Sequence, residues 1–228
     1  MRSQIQEEVL PIVEESQEKT ISIVQLIMDG GTGGQIIMGL LFTLLVLALY
    51  IYIERFLAIK AANKVDKNFM NQIKEQISLG NLEAAKLLCE KVNLPVANLV
   101  KKGISRIGKP LEDINTAIEN AGKLEVYKLE KNVSVLATIS GAAPMIGFLG
   151  TVIGMIVSIH EIANAGGQID IKMLSDGLYT AMTTTVGGLI VGIISYIAYN
   201  HLVVRTDSVV YQMESTSVEF LDLLNEPV

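Results

Sequence analysis

Three long uncharged runs, separated by amphipathic stretches, dominate the pattern of this chain. Residues 36–53 are apolar or small, interrupted only by Thr43. Residues 133–159 and 178–204 are longer and carry Ser, Thr and His201 but no Asp, Glu, Lys or Arg. A helix crosses a bilayer with about 20 apolar residues. The first run is slightly short for this, and the other two are long enough to tilt or project beyond the hydrocarbon. Between the first and second runs, apolar residues recur at helical spacing: Val96, Leu99, Val100 and Ile104 after Pro95, then Ile114, Ile118, Ala121, Leu124 and Leu129. Gly80-Asn81 reads as the stop of one helix and the cap of the next, and Gly108-Lys109-Pro110 as a further break. The chain is expected to stay helical from the first run through Lys60 to Leu79. No proline or glycine separates Leu124 from the second run, which predicts one unbroken rod through that junction. Val209, Met213, Val218 and Leu221 extend the third helix past Arg205.

The fold class is therefore an all-α membrane protein: three transmembrane helices with long cytoplasmic helical extensions. The expected division is a partly amphipathic, acidic N-terminal segment 1–35, a first span 36–53 and a cytoplasmic helical region 54–132. A second span 133–160, a short outer link 161–177, a third span 178–204 and a C-terminal cytoplasmic helix 205–228 follow.

Composition agrees with that division. Of the 228 residues 50% are hydrophobic, a fraction that favours a membrane protein. Residues 54–132 hold 14 of the 18 Lys+Arg, so the positive-inside rule places that segment in the cytoplasm, with the N-terminus and the link outside. Tyr50, Tyr52, Phe56, Tyr196 and Tyr199 mark the inner interface. Glu7, Glu8, Glu14 and Glu15 stand where a signal peptide would need an apolar core. The formal net charge of −6 argues against a nucleic-acid partner. The single Cys89 excludes an intrachain disulfide and reads as a half-buried helix residue.

Candidate chemistry is confined to two glycine-rich stretches inside the spans. Pro144, Gly147, Gly150, Thr151 and Gly154 belong to the second, and Thr180, Thr184, Thr185, Gly188 and Gly192 to the third. Gly150/Gly154 and Gly188/Gly192 are G-x-x-x-G pairs, which let helix backbones approach closely. The glycines and threonines share a face of each helix, at spacings of three and four. Threonine in a membrane helix often bonds only to its own preceding turn. Three consecutive threonines, Thr183-Thr184-Thr185, cover about 200°, so one of them faces inward. No span carries a carboxylate, so the chain alone runs no Asp/Glu proton relay through its spans. Asp176, near the outer mouth of the third span, reads either as a ligand where an ion enters or as a solvated helix-end acid. His160 and His201 lie at opposite membrane edges, too far apart to share a metal. No nucleophile–base set, P-loop or metal-ligand spacing is present, so neither an enzyme nor a resident cofactor is expected.

Ala143-Pro144-Met145-Ile146-Gly147-Phe148-Leu149-Gly150-Thr151-Val152-Ile153-Gly154-Met155 resembles the second-span signature of the ExbB/TolQ/MotA proton-channel family. Thr183-Thr184-Thr185-Val186-Gly187-Gly188-Leu189, running on to Tyr199-Asn200, resembles its third span, and Gly80-Asn81-Leu82-Glu83-Ala84-Ala85 with Pro95 and Gly103 its cytoplasmic helices. The three-span topology is most like the ExbB and TolQ type. The resemblance implies a homopentamer in the bacterial inner membrane, with a periplasmic N-terminus and a cytoplasmic C-terminus. Its pore would hold a single-span ExbD- or TolR-like partner whose intramembrane Asp carries the ion, a proton or alternatively sodium. Thr151 and Thr185 match the pore-lining polar positions, and Thr184 and Thr180 are expected to line the pore with them. Work on a TonB-like protein is the first expectation, and on a TolA-like protein the alternative. ExbB members often carry Glu where this chain has Thr180. Competing readings from other classes are a self-sufficient channel and a non-conducting membrane scaffold.

Overall fold

A computed structural model describes residues 32–64, 66, 68–164 and 171–225. The N-terminal segment, expected to lie on the outer membrane surface, is outside the described residues up to position 31. Seven helices account for nearly all of the described chain: α1 (Thr32–Ala62), α2 (Phe69–Ser78), α3 (Leu82–Val92), α4 (Pro95–Ile104), α5 (Leu111–Glu130), α6 (Val133–Asn164) and α7 (Ile171–Asn225). Three segments are long and apolar enough to cross a membrane: Gly33–Ala62, Val133–Asn164 and Gly177–Asn225. At 55 residues α7 is roughly 80 Å long, well over twice the hydrocarbon thickness of about 30 Å. The continuation past Arg205 is thus real. Helices α6 and α7 also reach into the 161–177 link from both sides.

The short helices follow local signals. Asn81 caps α3, its side chain accepting from Ala84 N at 3.2 Å. Gly80, with φ +70°, makes the turn before it. Pro95 opens α4, where its missing N–H costs nothing. Asn93 ends α3 in the left-handed region, with φ 47°.

Two helices expected to be continuous are broken. Helix α1 ends at Ala62, and α2 starts only at Phe69. In between, the Asp66 side chain accepts from Asn68 N at 3.0 Å, a local turn that competes with helix. The rod expected through Leu124 is interrupted at Lys131-Asn132, where Asn132 takes φ 65°. Asn tolerates that conformation better than other residues with a Cβ, so neither glycine nor proline was needed. Arg55 supports the break. Its Nη1 donates to Lys128 O at 3.0 Å, filling one of the carbonyls that the end of α5 leaves open.

The core runs the length of the molecule. In the membrane part α1, α6 and α7 form a three-helix layer, with Leu41, Leu136, Ala143 and Leu202 buried between them. Beyond it α4 and α5 pack on the far half of α7 through Val100, Ile104, Ile118, Val209, Met213 and Phe220. Gly103 makes this approach possible, because an added methyl would sit 2.9 Å from Ile118 Cδ1 and against the Phe220 ring. Cys89 is fully buried rather than half-buried, and burial pushes its thiol up to about 11.

Candidate functional site: the α6–α7 hydroxyl seam

Small residues on α6 and α7 interlock along their whole contact. Ala143, Gly147, Gly150, Gly154 and Ser158 recur at intervals of four, three, four and four. Gly177, Ala181, Thr184, Gly188 and Gly192 repeat the same intervals on α7. The helices are antiparallel, so the end of α6 meets the start of α7. A methyl on Gly147 would sit 2.7 Å from Thr184 O and 3.0 Å from Gly188 Cα. One on Gly150 would meet Thr184 Cβ at 2.7 Å, and one on Gly154 would meet Ala181 Cβ at 3.2 Å. A methyl on Gly188 would sit 2.9 Å from Gly147 Cα. Gly192 lies under Pro144, where a methyl would sit 2.7 Å from Pro144 Cγ and 3.1 Å from Ser140 O. That carbonyl is the one that Pro144, lacking an N–H, leaves without its helical donor. The expected packing residues therefore join two helices of one chain, within the protomer.

The threonines divide into two groups. Thr43, Thr138 and Thr183 bond only to their own helices, donating to Gly39 O at 2.9 Å, Ser134 O at 3.1 Å and Tyr179 O at 2.9 Å. Thr184, 1% exposed, donates to Ala181 O at 2.8 Å and is sealed inside the seam. Thr151 and Thr185 reach across it. Thr151 Oγ1 lies 3.0 Å from Ala181 O, Thr185 Oγ1 lies 3.3 Å from Gly147 O, and the two hydroxyls contact each other. Three contacts share two hydroxyl protons, so they cannot all be hydrogen bonds at once. Either Thr151 donates to Thr185 and Thr185 to Gly147 O, or Thr185 donates to Thr151 and Thr151 to Ala181 O. Ala181 O already accepts from Thr184, which favours the first arrangement. The pair is a hydroxyl chain that can reverse its direction, half-buried at the edge of a seam without ionisable groups.

The other expected residues lie apart from this pair. Thr180 turns its methyl toward α1, where a Cβ on Gly34 would be 2.7 Å from Cγ2. Asp176 stands early in α7, with its side chain outside the described residues.

Three features of the site were missed in the sequence. Ser158 and Gly177 close the end of the seam next to the α6–α7 link: Ser158 Oγ occupies the space where a Gly177 side chain would stand and donates to Gly154 O at 2.9 Å. Their shared four-three-four-four spacing was the available signal. The Ala181 carbonyl is a polar group of the seam, and no side-chain pattern shows it. At the other end of the spans, His201 Nδ1 lies 2.8 Å from the Tyr52 hydroxyl. That pairing joins two helices 149 residues apart, beyond the reach of local pattern.

Residues 91–215, more than half of the chain, match the MotA/TolQ/ExbB proton channel family. A biopolymer transport protein ExbB of Aquifex aeolicus is 36% identical over 136 residues, 59% of this chain and 84% of that one. A biopolymer transport protein ExbB of Helicobacter pylori is 40% identical over 79 residues, 35% of this chain and 54% of the other. A Tol-Pal system protein TolQ of Haemophilus influenzae is 30% identical over 109 residues, 48% of this chain and 47% of the other. The chain thus spans about half the length of several relatives it matches.

Proposed function

The chain belongs to the MotA/TolQ/ExbB proton channel family, and from that premise we propose that it is the multi-span subunit of an ion-driven motor of the ExbB/TolQ type. Copies of it, five in the expected assembly, surround the single-span helix of an ExbD- or TolR-like partner in the bacterial inner membrane. The basic 54–132 segment lies in the cytoplasm. The observation that carries this reading is the Thr151–Thr185 hydroxyl chain, set in two apolar runs, 133–160 and 178–204, that hold no carboxylate, and half-buried rather than sealed. A buried acid at mid-membrane costs at least about 2.5–3.5 kcal/mol, so a chain without one takes its titrating group from elsewhere. The partner's Asp is that group.

The mechanism follows from the hydroxyl geometry. An Asp carboxylate beside the pair accepts a hydrogen bond from one threonine. Once protonated, it can donate to a threonine oxygen instead. In either direction both hydroxyl protons are in use, so the carboxylate takes the place of Ala181 O or Gly147 O as the acceptor at the end of the chain, and the carbonyl contact returns when the acid is protonated. Each ion moving down the membrane potential releases about 2.3 kcal/mol per charge per 100 mV, available to step the partner helix past successive copies of the pair. The partner passes this work to an envelope-spanning TonB-like protein; work on a TolA-like protein is the alternative.

Ion flux into proteoliposomes tests the reading, using this chain with and without a co-expressed single-span partner that carries either Asp or Asn. Flux is expected only with the Asp partner. Thr185→Val keeps the shape but deletes one hydroxyl, and should cut flux at least about tenfold with assembly intact, the effect of losing roughly 1.4 kcal/mol. Undiminished flux in Thr185→Val would remove the pair from the mechanism. Flux from this chain alone would make it a channel in its own right.

A further inference from the structure

We infer that a basic cavity at one membrane edge, lined by Lys60 and Arg205, holds the phosphate of an anionic phospholipid. The cavity has a volume of about 190 Å³ and is lined by Phe56, Ile59, Lys60 and Asn63 at the end of α1 and by Arg205 of α7. Among the described residues its lining includes two cations, an amide and an aromatic ring, and no carboxylate. Neither cation belongs to an ion pair among the described residues. Arg205 Nε donates to His201 Nε2 at 3.4 Å, and Lys60 Nζ lies 6.0 Å from the centre of the Phe56 ring. Asn63 Oδ1 is buried without a partner. Two cations without an ion-pair partner among the described residues, converging from two helices on one cavity, make a site for a phosphate.

Position selects the source of that phosphate. The cavity lies where the uncharged runs 36–53 and 178–204 end, at the boundary between hydrocarbon and water. Toward the membrane, Ile53 and Leu57 lie seven and three residues before Lys60 on the same face of α1. Ile197 lies eight before Arg205 on the same face of α7. All three are exposed, at 56%, 59% and 63%. A polar cavity that continues into an exposed apolar track fits a headgroup with acyl chains, and a soluble anion would leave the track bare. The inference rests only on α1 and α7 spanning the membrane. It needs neither ion flux nor a partner.

The test uses the full chain, purified in detergent and stripped of lipid, then titrated with dioleoyl-phosphatidylglycerol and read by native mass spectrometry. Dioleoyl-phosphatidylcholine is titrated in parallel. The wild-type chain should retain phosphatidylglycerol in preference to phosphatidylcholine. Lys60→Gln/Arg205→Gln should weaken retention about thirtyfold, Lys60→Gln alone about fivefold, and Lys60→Arg and the distant control Lys109→Gln hardly at all. Helicity and oligomer size in the same samples separate misfolding from lost binding. Should the double variant misfold, Lys60→Gln alone decides the matter. Undiminished retention in the folded glutamine variants overturns the inference, as does equal retention of the two lipids. Displacement of phosphatidylglycerol by an equal concentration of inorganic phosphate would make this a free-anion site and overturn the lipid assignment. Ion flux plays no part in these readouts, so failure of the motor reading would leave them unaffected.

Discussion

Thr183, Thr184 and Thr185 are chemically identical neighbours with three different roles. Helical rotation of about 100° per residue turns the first onto its own helix, seals the second under Gly150 and aims the third at Thr151. Sequence spacing shows that one of three consecutive threonines must face inward. It does not say which, because that depends on the angle at which α7 meets α6. The glycines are less ambiguous, since a backbone approach such as Gly147 against Gly188 has no room for a side chain. We expect Gly188→Ala to destabilise the seam by about 1–3 kcal/mol, the usual cost of overpacking. An earlier unfolding midpoint in detergent titration would show it. An unchanged midpoint would mean that the helices separate at little cost and that the interlock contributes little.

At the scale of elements, the breaks are the informative positions. Gly80-Asn81, Pro95 and Gly108 announced theirs, because glycine and proline alter backbone energetics by themselves. Asn132 did not, since asparagine occupies helices and left-handed turns alike, and only tertiary contacts choose between them. Here the choice is supported by Arg55 from α1, which fills the Lys128 carbonyl at the end of α5. Asn132→Gly should therefore be tolerated. Asn132→Val forces a β-branched residue into a positive φ and should cost about 1–2 kcal/mol in thermal stability. Equal melting temperatures for the two variants would show that the break is not held in the left-handed conformation.

For the whole molecule, α7 is the connecting element: it carries half of the hydroxyl seam at one end and Phe220 at the other. The seam and the α4–α5 bundle are thereby tied to one helix. Phe220→Ala should cost the bundle about 3–5 kcal/mol by emptying the space between α4 and α7. It should open residues 205–225 to proteolysis while the membrane helices stay associated; resistance equal to wild type would place the stability of that end elsewhere. The sequence by itself determined the all-helical class, the three apolar crossings, the small-residue faces and the lack of an internal acid. Each of these is a matter of composition or of periodicity along one helix, and burial of apolar area enforces them locally. Only the tertiary structure decided that the two small faces meet each other within one chain. It alone brought Thr151 and Thr185, already singled out by resemblance, into contact across the seam, set Tyr52 against His201, and brought Lys60 and Arg205 to one cavity. These depend on the register and rotation of helices far apart in sequence. That register is chosen by the summed fit of many contacts, and no single residue pattern encodes it.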